Sequence, residues 1–183
     1  KIRSSSELIS ESFLSALENS EQFNIWRESH KNAYLCSAFS IGPDIDKITW
    51  QLDFYNPDDM KITSFVEQNN IIRNQEESVF KKPETQVKEL NLSKVKVDLK
   101  KAIEKLERFK KKKYPKENST QKIFVLQNLD SMLWNITYIT SSFNIFNVKV
   151  DAVNGKIISS DLIPIMGFKD KKYDKSAFDK FIK

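Results

Sequence analysis

Trp134-Asn135-Ile136-Thr137-Tyr138-Ile139 is the stretch on which the reading of this chain depends. Apolar and polar side chains alternate through it, the period-two pattern of a strand with one buried face. A second tryptophan-led stretch with the same alternation, Trp50-Gln51-Leu52-Asp53-Phe54-Tyr55, lies 84 residues upstream. The correspondence continues at that offset. Ile62-Thr63-Ser64-Phe65-Val66-Glu67 matches Phe146-Asn147-Val148-Lys149-Val150-Asp151, and Asn70 matches Asn154. Ile71-Ile72 then matches Ile157-Ile158 after a turn two residues longer. Each copy reads as strand, turn, strand, turn, strand. Asn56-Pro57-Asp58-Asp59 and Ser141-Ser142 with Asn144 supply the first turns, Asn69-Asn70 and Asn154-Gly155 the second. Asn and Gly suit such positions because they accept positive φ at low cost.

Further out, Tyr34–Phe39 and Ile123–Leu126 give one more apolar strand before each tryptophan. Before these the period changes. Val95, Leu99, Ala102, Ile103, Leu106 and Phe109 recur at helical spacing, with Ser93 or Asp98 at the start. Lys110 to Lys113 suit the C-terminal end, where the helix dipole favours cations, and Pro115 stops the helix. Ile9, Phe13, Ala16, Leu17, Phe23, Trp26 and His30 form a looser stripe in the first copy, and Gly42-Pro43 breaks the chain after it. The pattern predicts an α+β protein: two tandem repeats of a helix packed on a curled antiparallel β-sheet, a cystatin-like arrangement. Residues 1–83 make the first repeat, with a linker at Pro83. Residues 84–183 make the second, with a Lys-rich tail in which Phe178, Phe181 and Ile182 predict a short helix docked on the sheet.

Charge is divided unevenly along the 183 residues. Residues 1–83 hold 9 Lys/Arg against 13 Asp/Glu, a net of −4, and residues 84–183 hold 21 against 12, a net of +9. Such asymmetry can mark a surface for phosphates or anionic lipid. One cysteine excludes an intramolecular disulfide, and three glycines leave no phosphate-cradling loop of the Walker or GxGxxG type. No run reaches the roughly 18 apolar residues of a spanning helix. The sequence opens on Lys1 rather than Met, so an upstream signal peptide, lipoprotein signal or anchor is an open expectation.

The second copy resembles the PepSY domain family. The signature there is a tryptophan-led strand, then a strand running into Asp-Ala-x-Thr-Gly-x-Ile/Val. Here Trp134 leads the first, and Val150-Asp151-Ala152-Val153-Asn154-Gly155-Lys156-Ile157 forms the second, with Asn154 in place of Thr. The first copy departs further: Val66-Glu67-Gln68-Asn69-Asn70-Ile71-Ile72 has neither the Asp-Ala pair nor the Gly. The resemblance covers about residues 94–160 and, more weakly, 8–75. It implies an extracytoplasmic bacterial protein, secreted or membrane-anchored, of a family found in propeptides of thermolysin-like proteases, in lipoproteins and in membrane-anchored regulators. It also implies a binding or inhibitory module rather than an enzyme, needing no cofactor. The motif residues become structural on this reading: Trp50 and Trp134 pack the core, Asp151 and Gly155 build the hairpin turn, and Ala152 and Asn154 complete it.

Other chemistry is sparse. Cys36 and His30 are the single Cys and His, conceivable as nucleophile and base. Cys36 sits in an apolar strand, the setting of a structural thiol. Two soft ligands cannot build a regular zinc site, so no metal is expected. The acidic pairs Asp44/Asp46, Asp58/Asp59 and Glu76/Glu77 read as solvated acids in turns or linkers. Lys110, Lys111, Lys112, Lys113 and Lys116 form the strongest candidate contact surface. Two functions follow as expectations. The first is a non-enzymatic, exported or envelope-attached regulatory module acting by contact with another envelope protein, a protease among the candidates. The second is a polyanion binder using the basic face, anionic lipid being favoured over nucleic acid.

Overall fold

The computed structural model describes residues 11–68, 71–78 and 86–166. The predicted second turn at Asn69-Asn70, the linker at Pro83 and the tail residues Phe178, Phe181 and Ile182 lie outside the described residues.

The first helical stripe is two helices, α1 (Glu11–Glu18) and α2 (Glu21–Ser29). Ser20 divides them: its hydroxyl accepts from the Phe23 amide at 3.2 Å, capping α2, and its extended backbone ends α1. α3 (Leu99–Lys113) is the longest helix, with a row of lysines in its last turn. Asp98 caps it, its carboxylate accepting from the Lys101 amide at 2.8 Å.

Eight strands follow the helices in two groups: β1 (Tyr34–Gly42), β2 (Thr49–Asn56), β3 (Lys61–Gln68) and β4 (Ile71–Ser78), then β5 (Ser119–Asn128), β6 (Met132–Thr140), β7 (Asn144–Asp151) and β8 (Ile157–Pro164). All neighbours are antiparallel, and the order across the sheet is β4-β3-β2-β1-β5-β6-β7-β8. This corrects the expected fold class. The protein is not a pair of tandem helix-on-sheet repeats. It is a sheet-dominated fold in which β1 and β5 pair from Ser37↔Gln127 to Gly42↔Lys122 and join all eight strands into one sheet. The physical cause is the unpaired N–H and C=O row that each four-strand group would otherwise leave on its first strand; pairing the two rows satisfies both. The acidic pair Glu76/Glu77 is likewise not in a linker, since both residues belong to β4.

Direct cross-strand partners share a face, so the register sorts the two sides. Trp50, Leu52, Phe54, Phe65, Phe124, Leu126, Trp134, Ile136, Tyr138, Phe146 and Val148 belong to one continuous buried cluster with Phe13, Leu17, Phe23 and Trp26 of the first helices and Leu99, Ala102 and Leu106 of α3. Rings fix the contacts: Phe23 meets Phe65 at 5.2 Å and Phe109 stacks on Phe146 at 6.5 Å. The described helices therefore pack on one face of the sheet. The other face carries Gln51, Asp53, Ser64, Phe39, Val125, Leu133, Asn135, Thr137, Ile145, Asn147 and Asp161.

The first turns also differ from expectation. The positive-φ residues there are Met60 (φ 58°) and Phe143 (φ 57°), each the last residue before a strand and each exposed, rather than Asn or Gly. A side chain in this region costs roughly 1 kcal/mol, and the strand pairing on either side holds it there.

Candidate functional site

The β7–β8 turn gathers the motif residues. The Asp151 carboxylate accepts from the amides of Val153 at 2.8 Å and Asn154 at 2.9 Å. The Asn154 side chain accepts from the Lys156 amide at 2.8 Å. Gly155 supplies φ 75°, and its amide donates to the Asp151 carbonyl at 2.8 Å. Ala152 is fully buried and joins three segments: its amide donates to the Met132 carbonyl, and its carbonyl accepts from Lys96 and Val97, both at 2.9 Å. Above the turn, Lys105 of α3 donates to the Gly155 carbonyl at 2.7 Å. Trp134 is fully buried and its indole donates to the Val97 carbonyl at 2.8 Å. Trp50 faces it across the β1–β5 seam, ring centroids 6.4 Å apart. These six residues are committed to holding strands, turn and α3 together.

The basic end of α3 divides into two kinds of lysine. Lys110 turns inward, donating to the Glu117 carbonyl at 2.7 Å and pairing with Glu107 at 3.6 Å. Lys113 lies over the rings of Phe109 and Tyr114 at 5.5 and 5.3 Å. Lys111, Lys112 and Lys116 stand exposed. Of the five lysines named from sequence as a candidate contact surface, three are unencumbered by these contacts.

Cys36 and His30 have separate partners. The Cys36 thiol is buried and donates to the Asp53 carbonyl at 3.2 Å. Burial, aided by the Asp53 charge, pushes its pKa up to about 12, so it remains a thiol at neutral pH and not the nucleophilic thiolate. His30 stacks on Trp26 at 4.8 Å, its Nδ1 2.8 Å from the Trp26 carbonyl oxygen and 2.9 Å from the Ser29 hydroxyl. Among the acidic pairs, Asp44 accepts from the Ile45 amide, Asp58 from the Asn32 side chain and Asp59 from the Lys61 amide. The Asp44 and Asp59 bonds are local cap and turn bonds, and the Asp58 bond ties the β2–β3 turn to the segment before β1. Among the described residues no group of three His, Cys, Asp or Glu side chains could hold a metal ion, and no helix is long and apolar enough to cross a membrane.

Two polar clusters on the helix-free face were missed by sequence reasoning. Asp53 accepts from Ser37 at 2.5 Å, Ser64 at 2.6 Å and Gln51 at 2.7 Å, across three strands. Asn147 donates to Asn135 at 2.7 Å and to Thr137 at 2.8 Å, and both asparagines are buried. The signal available was their alternation with core residues, which fixes a shared face but not what lies over it.

No protein-family model and no curated protein matches the chain. Its fold is similar to that of a solved structure described as a "putative lipoprotein" from Clostridium difficile 630, with a TM-score of 0.50 and 16% sequence identity over 78% of this chain and 90% of that one. At that identity the likeness is one of fold.

Proposed function

We propose that the chain is a non-enzymatic binding and regulatory module of the bacterial cell envelope, exported and acting by contact with another envelope protein, with a PepSY-like turn as scaffold. The observation that carries this reading is the outer edge of β8. Among the described residues β8 pairs only with β7, so its other side presents free ladder groups to an extended peptide. Ile158, half exposed, offers an apolar anchor beside that edge. The commitment of the motif residues to structure, and a Cys36 held as a thiol, favour binding over catalysis. The likeness to a chain described as a putative lipoprotein supports the envelope address. The partner segment belongs to an exported protein, a protease being the first candidate.

The test is a cross-linked pull-down of the full-length protein from its own cells, run beside Ser160→Pro and Asp161→Pro variants. Amide groups of adjacent strand residues point to opposite sides, so one proline disrupts the β7 ladder and the other only blocks the outer edge. Loss of one exported partner with the edge-blocking, still folded variant supports the reading. Retention of that partner with both variants overturns it.

The exposed trio Lys111, Lys112 and Lys116 favours a second reading, binding of anionic lipid. Each lysine near such a surface contributes about 1 kcal/mol. A Lys→Gln triple variant that binds phosphatidylglycerol vesicles as well as the wild type excludes it.

A further inference from the structure

Ser141-Ser142-Phe143, the turn between β6 and β7, ends on a residue that its own backbone disfavours. Phe143 stands at φ 57°, the left-handed position that Gly or Asn ordinarily takes in such a loop. Its amide donates to the Thr140 carbonyl at 3.0 Å and the Asn144 amide to the Thr140 hydroxyl at 3.2 Å, which fixes the conformation. The ring contributes little to the core, being 71% exposed. A residue that strains the backbone and packs on almost nothing points to a use outside the fold. Its surroundings are equally specific. The Phe143 carbonyl accepts from the Ile165 amide at 2.8 Å, and the next residue, Met166, is 73% exposed. The turn is also tied to the end of α3: the Ser141 amide donates to the Asn118 carbonyl at 2.8 Å, and the Asn144 side chain to the Glu117 carboxylate at 3.0 Å. Phe143 and Lys116 each adjoin a partner in that last bond, and Lys111 and Lys112 stand exposed at the helix end. The carboxylates of this corner are engaged, Glu117 by Asn144 and Glu107 by Lys110 at 3.6 Å.

We propose that this corner docks on an anionic bilayer with the Phe143 ring inserted below the headgroups and Met166 beside it, an inference that rests on the anionic-lipid reading above and names the group that enters the membrane. Lys111, Lys112 and Lys116 then meet the headgroups. An apolar tip next to lysines suits such a surface: the ring leaves water, while the long lysine stems keep their ammonium groups at headgroup depth. The other half of the sheet supplies the contrast. Met60, at φ 58° and 61% exposed, ends the corresponding β2–β3 turn. It follows Asp58 and Asp59, and the register puts it at the opposite end of the sheet. Anionic lipid repels that turn, so of the two strained, exposed tips only Phe143 is matched in charge to the membrane.

The test is sedimentation of the full chain with vesicles of equal parts phosphatidylglycerol and phosphatidylcholine. Phe143→Asn removes the ring and suits the left-handed turn, so its urea midpoint should equal or exceed that of the wild type. Its vesicle affinity should fall about tenfold or more, and Met60→Asn should leave affinity unchanged. In a second measurement Phe143→Trp is mixed with the same lipids carrying brominated acyl chains. Quenching of the new tryptophan is expected, since Trp26, Trp50 and Trp134 are buried in the protein and do not reach the chains. Equal affinity of Phe143→Asn and wild type, or an unquenched tryptophan at 143 in a vesicle-bound chain, overturns the insertion while leaving lysine-driven lipid binding in place. A wild type that ignores phosphatidylglycerol vesicles overturns both. Unchanged vesicle binding by Phe143→Asn together with loss of an envelope protein from the pull-down assigns the tip to a protein partner and overturns the insertion as well.

Discussion

Gly155→Ala tests the turn that ties α3 to the sheet. Gly155 sits at φ 75°, where an alanine costs about 1–2 kcal/mol in backbone strain. The new Cβ would also lie 2.5 Å from Lys105 Nζ, 3.2 Å from Lys105 Cε and 3.3 Å from a Val97 methyl. The flexible lysine end yields first. Its retreat sacrifices the 2.7 Å bond to the Gly155 carbonyl, a charge-assisted bond whose contribution, discounted for the half-exposed lysine, is about 1 kcal/mol. The total is about 2–3 kcal/mol, which at a urea m-value of about 2–3 kcal/mol/M lowers the unfolding midpoint by roughly 1 M. Lys105→Met separates the two causes. It removes the ammonium and its bond but keeps an apolar stem, so alone it costs about 1 kcal/mol. In that background Gly155→Ala retains only the backbone cost, and the cycle returns a coupling of about 1 kcal/mol. Urea titrations of the four proteins, followed by tryptophan fluorescence, give the numbers. Equal costs of Gly155→Ala in both backgrounds would refute the role of Lys105. A midpoint shift under about 0.2 M would refute the strained-turn account altogether.

Two further predictions concern single side chains. Asp98→Ala removes the α3 cap and leaves the Lys101 amide without its carboxylate; a loss of about 1–2 kcal/mol is expected by urea titration, and an unchanged midpoint would refute the cap. Cys36 carries a pH dependence whose sign follows from its raised pKa. The folded protein holds the thiol protonated up to about 12, whereas the unfolded chain ionises near the ordinary value of 9.0. Its contribution is therefore full below about pH 9 and is lost as pH rises toward 12. Cys36→Ala should flatten that alkaline limb in thermal melts across pH 8 to 11, and the native thiol should label with Ellman's reagent only as fast as the protein opens.

Much of the strand layout could be read from alternation. The Trp50 and Trp134 stretches are β2 and β6, and the segments matched to them downstream are β3 and β7. α3 was legible because its apolar stripe is long and its cap, lysine row and proline agree. The joining of β1 to β5 was not legible. Alternation says which side chains face a core, but strand edges carry only backbone groups, which no side-chain pattern encodes. The division of the first helix at Ser20 was hidden because Phe13, Leu17, Phe23 and Trp26 stay on one packed side through the break. Alternation sets Asn135 and Asn147 on the face opposite the core and gives no sign that both are buried. At the basic surface the row of lysines was plain in the sequence, while the inward turn of Lys110 depended on Glu117 arriving after the helix.

The β1–β5 seam has a consequence for the order in which the chain becomes safe from its neighbours. β1, β2, β3 and β4 can pair as a meander as soon as Ser78 is available. The far side of β1, with Phe39 and Ile41 beside it, then waits until β5 arrives, about fifty residues later. At synthesis rates of 5–20 residues per second that delay is roughly 3–10 s. Throughout it the strand that will lie in the middle of the finished sheet is an open edge, able to pair with another nascent copy. A chain delivered N-terminus first is thus most prone to self-association at its future centre, and a holding factor or slow delivery would matter more for this protein than its final stability indicates.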